Sequence, residues 1–253
     1  MVAHVKPKYF EWERNLDVNK PTVLTHRTAY LHGSFNSRKY LILWESTELL
    51  RDILPTPKIF EFAPNFDKIF THNSSVLQLP NTRWIPGGGI WIGGYGGGEV
   101  KIYDKTKDIS LVSSTKNMCE LHRYRLALCK ILDVDIMGTV VGKPVKIIES
   151  LADYKYSIII ENNIDDLYFT EKLLNCFATG TIPIYLGARS IATIFNKCGI
   201  ISINDLGLDR ALELATEEYY YDNFGAVQDN FERCQKFRCI EDYIWENYKE
   251  DFQ

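Results

Sequence analysis

The segment 160–187 places many hydrogen-bonding side chains between two apolar stretches. It reads IENNIDDLYFTEKLLNCFATGTIPIYLG, so it carries carboxylates, amides, a tyrosine and a lysine. A plain connecting turn needs only a few residues, typically glycine, proline or asparagine. This segment is longer and contains both signs of charge. It is therefore either a solvated loop or a binding site.

The first turn of a helix within this segment has the side chains of an anion and hydroxyl site. Thr170 is a typical N-cap, and the free N–H groups at a helix start attract anions. Lys172 would lie in the first turn, where a cation is unfavourable for the helix dipole unless it meets a phosphate. Glu161 and Glu171 can accept hydrogen bonds from sugar or ribose hydroxyls, and Tyr168 can stack or donate. These residues predict a nucleotide-sugar pocket, and a solvated loop is the alternative.

Strands that alternate with helices position this segment in the second half of the chain. The predicted strands are 109–114, 134–138, 156–160, 181–187 and 199–203, and the predicted helices are 121–132 and 170–180. Such alternation is typical of an α/β layer with a mainly parallel sheet, in which ligands bind at the carboxyl ends of the strands. The segment follows the strand 156–160, which favours a site over a solvated loop.

The first half of the chain mixes short apolar runs with loops. Strands are predicted at 21–26, 39–46 and 66–73, and a short helix at 46–54 with Ser46 as N-cap and Pro55 as its end. The stretch WIPGGGIWIGGYGGGEV (84–100) holds eight of the sixteen glycines and is not a P-loop. It is predicted to be a connection between domains or a loop over a cleft, with a disordered surface loop as the alternative. The tail 239–252 is predicted to be a docked aromatic helix.

Composition excludes several classes of function. The net charge of −4 gives no basic field for nucleic acid, and no apolar run is long enough for a transmembrane helix. The first residues lack the apolar core of a signal peptide, so we expect a soluble cytoplasmic protein. Six cysteines without a Cys-x-x-Cys pair and five histidines without metal-site spacing argue against a metal centre.

The stretch YKYSIIIENNIDDLYFTEKLLNCFATGTIPIYLG (154–187) resembles the donor-binding signature of the family 10 glycosyltransferases, the α-1,3/1,4-fucosyltransferases. Bacterial and viral-type members are the most similar. The resemblance is strong over about 105–205 and weak over 35–95. The matching residues are Tyr154, Lys155, Tyr156, Glu161, Asn162, Tyr168, Thr170, Glu171, Lys172, Ala178, Gly180, Pro183 and Gly187.

The same resemblance implies roles for individual residues. LVSSTKNMCELHRYRLALCKILDVDIMG (111–138) is similar to the family's arginine-bearing helix and implies Arg123 as the phosphate-binding arginine, with Arg125 as the alternative. LILWESTELL (41–50) resembles the segment with the catalytic glutamate, which implies Glu45 as the base and Glu48 as the fallback. The implied donor-binding set is Arg123, Glu161, Asn162, Tyr168, Thr170, Glu171 and Lys172.

For the whole chain, the resemblance implies an α/β protein of the GT-B type, with two Rossmann-like domains facing across a cleft and a C-terminal helix that returns to the first domain. The expected domains are 1–104 for the acceptor, with its glycine-rich connection at 86–98, and 105–253 for the donor. The implied reaction is an inverting, metal-independent transfer, with a carboxylate base and a leaving diphosphate that Arg123 and Lys172 stabilise. GDP-fucose is the expected donor, a glycan the expected acceptor, and no cofactor is expected.

Four alternatives stay open. The same fold could use another nucleotide sugar, such as UDP-xylose, or the chain could be a binding module that has lost its base. Asp133-Val134-Asp135 forms a DxD, which is a metal and nucleotide signature of another glycosyltransferase fold, although Val134 and Ile136 alternate as in a strand. His122 could bind phosphate, or it could be a helix-surface histidine.

Overall fold

Parallel strands form two separate sheets in the computed structural model of the chain, which describes residues 6–9, 11, 13 and 17–253. The first sheet has the order β1-β2-β3-β4 and the second the order β6-β5-β7-β8-β9. The strands are β1 Thr22–Thr25, β2 Lys39–Leu43, β3 Lys68–Thr71, β4 Thr82–Trp84, β5 Lys107–Val112, β6 Asp135–Met137, β7 Tyr154–Ile160, β8 Ile182–Leu186 and β9 Ile201–Ser202.

Helices and turns connect these parallel strands. The α-helices are α1 Thr47–Leu50, α2 Thr56–Phe62, α3 Glu120–Ile131, α4 Glu171–Phe177, α5 Ile203–Leu206, α6 Leu208–Leu214, α7 Glu217–Asp222, α8 Phe224–Cys234 and α9 Ile240–Tyr248. Short 3-10 helices lie at Ala29–Ser34, Ala63–Asn65, Val76–Gln78, Thr139–Val141, Ile147–Ser150, Ile191–Thr193, Lys197–Gly199, Gln235–Phe237 and Lys249–Phe252. Every strand predicted from the sequence is present, whereas β4, α2 and α5 to α8 were not predicted.

The caps near the site follow from the sequence. Ser46 Oγ accepts a hydrogen bond from the Leu49 N–H, and Thr170 Oγ1 accepts one from the Lys172 N–H, as N-cap side chains do. After α4, Gly180 has a φ of +74°, and a Cβ at this position would lie 2.7 Å from Cγ2 of Ile102. Glycine is therefore required where the chain leaves α4 for β8.

Strand β2 shows how the apolar residues are divided between two cores. Leu41 and Leu43 face a core with α2, while Tyr40 and Ile42 face a second core that both sheets share. Buried on both faces, β2 is a continuous apolar run, as expected for a parallel strand covered on each side. A third core covers the other face of the second sheet, where Tyr156, Ile158 and Ile184 pack.

The glycine-rich stretch packs within the shared core. Ile90 and Ile92 have no exposed surface, and the Gly87 N–H donates to the Phe169 carbonyl at 2.8 Å. The Trp91 N–H donates to Asn175 Oδ1 at 2.8 Å, which ties the stretch to α4. The alternative of a disordered surface loop is therefore wrong, because the stretch contributes apolar side chains to the shared core.

The end of the chain packs against the first sheet. The Tyr248 hydroxyl donates to the Trp84 carbonyl at 2.8 Å, and Arg83 Nη2 donates to Asp251 Oδ1 at 3.0 Å. The ring of Phe252 stacks on that of Phe70, with 5.7 Å between centroids and 4° between planes. These contacts confirm a docked C-terminal helix that returns to the first sheet. The domain limits at 104 and 105 stay a prediction. In the described part of the chain, no helix is long and apolar enough to cross a membrane.

Candidate active site

A cavity of about 610 Å³ opens between the two sheets, which is within the usual size range of small-molecule sites. Its walls come from the carboxyl ends of strands in both sheets. His26 and Glu45 follow β1 and β2 on one side, while Ser114 and Asn162 follow β5 and β7 on the other. The topology therefore brings the predicted segment after β7 to the same cavity as the predicted base after β2.

Glu45 forms part of the wall on the side of the first sheet. Its side chain is half-buried in the cavity wall. Burial raises the pKa of this carboxyl above its ordinary value, and the nearby Glu171 carboxylate raises it further. A carboxylate whose pKa is moved toward neutrality is a better proton acceptor for a hydroxyl near neutral pH. The fallback residue Glu48 does not line the cavity and instead pairs with Arg51 at 2.6 Å on the surface.

A buried carboxylate organises the other wall. Glu161 has no exposed surface. Its Oε1 accepts from the Thr170 N–H at 2.8 Å, and its Oε2 accepts from Thr170 Oγ1 at 2.8 Å and from Lys172 Nζ at 3.1 Å. The expectation that Glu161 contacts donor hydroxyls stays a prediction, and in the structure its side chain does not line the cavity. Burial separates it from the cavity, and its oxygens bind the two residues that begin α4.

Lys172 lines the cavity with 23% of its side chain exposed. Its Nζ lies 3.0 Å from Thr170 Oγ1 and 3.6 Å from Glu171 Oε1, besides its bond to Glu161. Burial alone would lower the pKa of this ammonium, but Glu161 and Glu171 raise it more, so the net direction is upward. Lys172 therefore stays charged at the cavity surface, where the sequence placed a phosphate contact.

Helix α3 presents Arg125, and not Arg123, to the cavity. Residues two positions apart on an α-helix point in nearly opposite directions, since each turns by roughly 100°. Arg123 is exposed to solvent, whereas Arg125 is 8% exposed and lines the cavity. Arg125 Nη2 donates to the Ile160 carbonyl and lies 3.5 Å from Asn162 Oδ1. The cavity is therefore lined by the alternative arginine, Arg125, and not by Arg123, and phosphate binding by Arg125 stays a prediction.

Asn162 and His122 both line the cavity beside this arginine. His122 Nε2 is 3.0 Å from Asn162 Oδ1, and the Met118 N–H donates to His122 Nδ1 at 3.2 Å. Only 4% of His122 is exposed, so the alternative of a helix-surface histidine is wrong. Burial lowers the pKa of its imidazole, and the Arg125 charge lowers it further, so the ring is neutral at pH 7.

Tyr168 is almost entirely buried in the cavity wall, and its ring lies 4.4 Å from that of His72. Burial raises the pKa of its phenol well above the ordinary value, and the Glu161 charge adds to this, so Tyr168 stays protonated. A Cβ at Gly87 would lie 2.7 Å from Cε2 of Tyr168, and one at Gly88 would lie 2.9 Å from Glu171 Oε2. These glycines therefore allow the backbone to pass close to the residues that surround the start of α4.

Several cavity residues were not found from the sequence. They are His26, Arg27, Ser114, Lys116, Arg238 and Glu241. Lys116 follows β5 in a polar loop, and its charge acts on both Glu45 and His122. A lone lysine in a polar loop has no pattern that distinguishes it from a solvated one. These residues are recognised as part of the site because separate loops bring them to the same cavity. The linear sequence does not show which loops meet.

The DxD residues lie away from the cavity. Asp135 Oδ2 accepts a hydrogen bond from the Tyr154 hydroxyl at 2.7 Å, and neither Asp133 nor Asp135 lines the cavity wall. Over residues 6–9, 11, 13 and 17–253, no group of three histidine, cysteine or acidic side chains is placed to hold a metal ion. The position of Asp135 is therefore explained by its contact with Tyr154 at the edge of the second sheet.

Comparison of the sequence with known proteins gives a family match. Residues 102–236 match the family model of the C-terminal part of glycosyltransferase family 10 (fucosyltransferase). An α-(1,3)-fucosyltransferase of Helicobacter pylori is 35% identical over 66 residues, which are 26% of this chain and 14% of that relative. The chain therefore matches only a small part of that protein's length.

Solved structures show the same fold. A crystal structure of an α1,3-fucosyltransferase with GDP has a TM-score of 0.51 at 16% identity and covers 92% of each chain. One with GDP-fucose has a TM-score of 0.51 at 15% identity and covers 91% of this chain and 92% of that one. The fold is therefore GT-B, as the resemblance implied. Since the family model spans residues 102–236 of 253, more than half of the chain, this chain belongs to glycosyltransferase family 10, the fucosyltransferases.

Proposed function

We propose that this protein transfers L-fucose from GDP-fucose to a hydroxyl of a glycan acceptor, with inversion at the anomeric carbon and without a metal ion. One observation carries the proposal. The half-buried carboxylate of Glu45 lines the same cavity as the cations Arg125 and Lys172, which come from the other sheet. A transfer in one displacement step requires a base on one wall of the cavity and cations that bind phosphate on the other.

In the proposed step, the Glu45 carboxylate takes the proton of the acceptor hydroxyl. The acceptor oxygen then forms a bond to C1 of fucose as the bond between C1 and the phosphate oxygen breaks. The electron pair of that bond leaves with GDP. Because the acceptor attacks from the face opposite the leaving group, the anomeric configuration inverts.

The second requirement is that the negative charge on the leaving diphosphate is stabilised. Arg125 and Lys172 lie close to the acidic side chains Glu161 and Glu171, which offset much of their positive charge. Lys116 brings a further cation to the same wall. These side chains supply fixed positive charge in a partly water-excluded cleft, where such charge stabilises a developing anion strongly. That supply supports a reaction without a metal ion.

The donor is tested by calorimetric titration with GDP, GDP-fucose, UDP and UDP-xylose, with and without a divalent cation. We expect binding of GDP and GDP-fucose that does not depend on the cation. Preference for UDP-xylose would keep the pocket and overturn the donor. Failure of all four ligands to bind would leave a module without donor activity and would refute the proposal.

The roles of the arginine and the base are tested with matched variants. Arg125→Gln should weaken GDP binding by at least about tenfold, as loss of a charged hydrogen bond does, while the exposed control Arg123→Gln should not. Glu45→Gln should keep GDP binding and lose transfer, while the surface control Glu48→Gln keeps both. The same transfer rate in Glu45→Gln and the wild type would show that Glu45 is not the base.

The pH profile gives an independent check on Glu45. Its pKa is raised, so the carboxylate becomes protonated at a higher pH than the ordinary value of 4.5. The transfer rate should therefore fall on acidification already above pH 4.5. If the transfer rate fell only at or below pH 4.5, the result would contradict a half-buried base with a raised pKa.

A further inference from the structure

We propose that His122 is a positioning residue that turns the side-chain amide of Asn162, so that its N–H groups face the donor cavity. The proposal rests on the proposed function, because it assigns a partner to the same site. His122 comes from α3 and Asn162 from the loop after β7, so the two residues join separate elements of the second sheet. The proposal concerns the orientation of one amide and not the transfer step itself.

The hydrogen bonds of His122 select one tautomer. The Met118 N–H donates to Nδ1 at 3.2 Å, and an imidazole nitrogen that accepts a hydrogen bond carries no proton. In the neutral ring the proton then lies on Nε2, which is 3.0 Å from Asn162 Oδ1. His122 is therefore a donor toward Asn162, and its orientation is fixed by the backbone on its other side.

The amide of Asn162 receives two donors on one atom. His122 Nε2 is one of these donors, and Arg125 Nη2, which lies 3.5 Å from Asn162 Oδ1, is the other. The Nε2–H of the neutral His122 ring and the Arg125 guanidinium can donate but cannot accept a hydrogen bond. The amide oxygen of Asn162 must therefore face them, and the amide nitrogen must face away. Asn162 lines the cavity, so two N–H donors are presented there. Such donors suit phosphate, carbonyl or hydroxyl oxygens of a nucleotide sugar.

Charges around His122 keep it in the required state. The cations Arg125 on α3, Lys172 on α4 and Lys116 in the loop before α3 all face it, and burial acts in the same direction. A protonated His122 would point Nδ1–H at the Met118 N–H and lose that bond. The neutral ring is therefore the form that these neighbours favour, and the amide keeps its orientation at physiological pH.

A double-mutant cycle tests the coupling through binding of GDP. His122→Ala should weaken GDP binding by about three- to tenfold, the range expected for one neutral hydrogen bond. In a protein that already carries Asn162→Ala, the same change should have almost no effect, since the amide it orients is gone. His122→Gln, which can still donate to Asn162, should recover part of the loss. Arg123→Ala on the same helix is the control and should bind GDP normally.

Because His122 itself lines the cavity, a purely structural role or a direct contact of its ring with the donor predicts a different result. In that case His122→Ala would weaken binding equally with and without Asn162, and such additive losses would overturn the proposal. The tautomer is read separately by ¹⁵N NMR of the histidine ring, which needs no ligand. A proton on Nε2 and none on Nδ1 is expected, and the opposite tautomer would refute the proposal. If the wild type binds no GDP, the proposed function fails, while the NMR result still decides the role of His122.

Discussion

Replacing Glu161 by glutamine tests how the start of α4 is held in place. Glu161 has no exposed surface and accepts three hydrogen bonds, two from Thr170 and one from Lys172. Glutamine has nearly the same volume but no charge. Its amide oxygen can still accept from the Thr170 N–H, but its NH2 group would then take the place of Oε2 and meet the Lys172 ammonium, which is a donor only. The variant therefore removes an ion pair and adds a donor-to-donor contact.

The structure sets the size of the effect. Removing one partner of a buried ion pair typically costs about 3–5 kcal/mol of unfolding free energy. Lys172 keeps Glu171 at 3.6 Å and is 23% exposed, so some compensation is available. We expect a loss of about 3 kcal/mol, at the low end of that range. For a chain of this size, this corresponds to a fall in Tm of roughly 6–12 °C.

Thermal and urea unfolding of Glu161→Gln at pH 7 measure this loss. The matched control is Glu48→Gln, which removes the same kind of charge from a surface pair. Glu48 and Arg51 lie 2.6 Å apart, but their side chains are 40% and 64% exposed. Water screens such a pair, so the control should change the unfolding free energy by less than about 1 kcal/mol.

A Glu161→Gln variant as stable as the control would refute this reasoning. That result would mean that the attraction between Glu161 and Lys172 stabilises the fold by no more than the loss of hydration of the two charges destabilises it. A second outcome would separate structure from binding. If the variant kept wild-type stability but lost all affinity for GDP, Glu161 would contact the donor, as the family resemblance implies.

Three other perturbations follow from the structure. Lys116→Gln should weaken GDP binding more than GMP binding in calorimetry, by roughly tenfold for a charge-assisted contact, and equal losses for both would place Lys116 away from the β-phosphate. Gly88→Ala should lower the unfolding free energy by about 1–3 kcal/mol, because its Cβ would lie 3.1 Å from the backbone nitrogen of Glu171 as well as 2.9 Å from Glu171 Oε2, whereas Gly225→Ala, with no atom within 4 Å, should not. Burial lowers the pKa of His72 from 6.5 to about 4, so the unfolded chain binds the proton first and stability should fall by up to about 3 kcal/mol between those pH values. Urea unfolding of the wild type and His72→Gln measures this loss, and an unchanged pH slope in the variant would contradict it.

The second sheet could be predicted because its strands are continuous apolar runs between polar loops. The run 156–160 and the run 181–187 both became buried strands, and Thr170 became the N-cap of α4. The four short helices between Ile203 and Cys234 could not be predicted in the same way. Gly207, Thr216 and Asn223 divide that stretch into pieces too short for a clear helical period.

Site residues were predictable as a group but not in their separate roles. The sequence placed Glu161, Asn162, Glu171 and Lys172 near one another, because they flank a strand end and a helix start. It could not tell which of them is buried, since burial depends on what packs over the loop. The choice between Arg123 and Arg125 needed the direction in which α3 faces the sheet. Whether these residues bind donor stays a prediction.

The contacts of the last residues with the first sheet bear on how the chain folds during synthesis. Tyr248 bonds Trp84 across 164 positions, and Tyr40 bonds the Asp251 carbonyl across 211. The ribosome makes the first sheet early, yet the ring of Phe70 gains its contacts with Tyr248 and Phe252 only after the second sheet has been made. Contacts over such distances close slowly, because long loops must be ordered first. We therefore expect the first sheet to lack part of its packing until the second sheet has been made, so that a nascent chain exposes an aromatic surface on which chaperones can act.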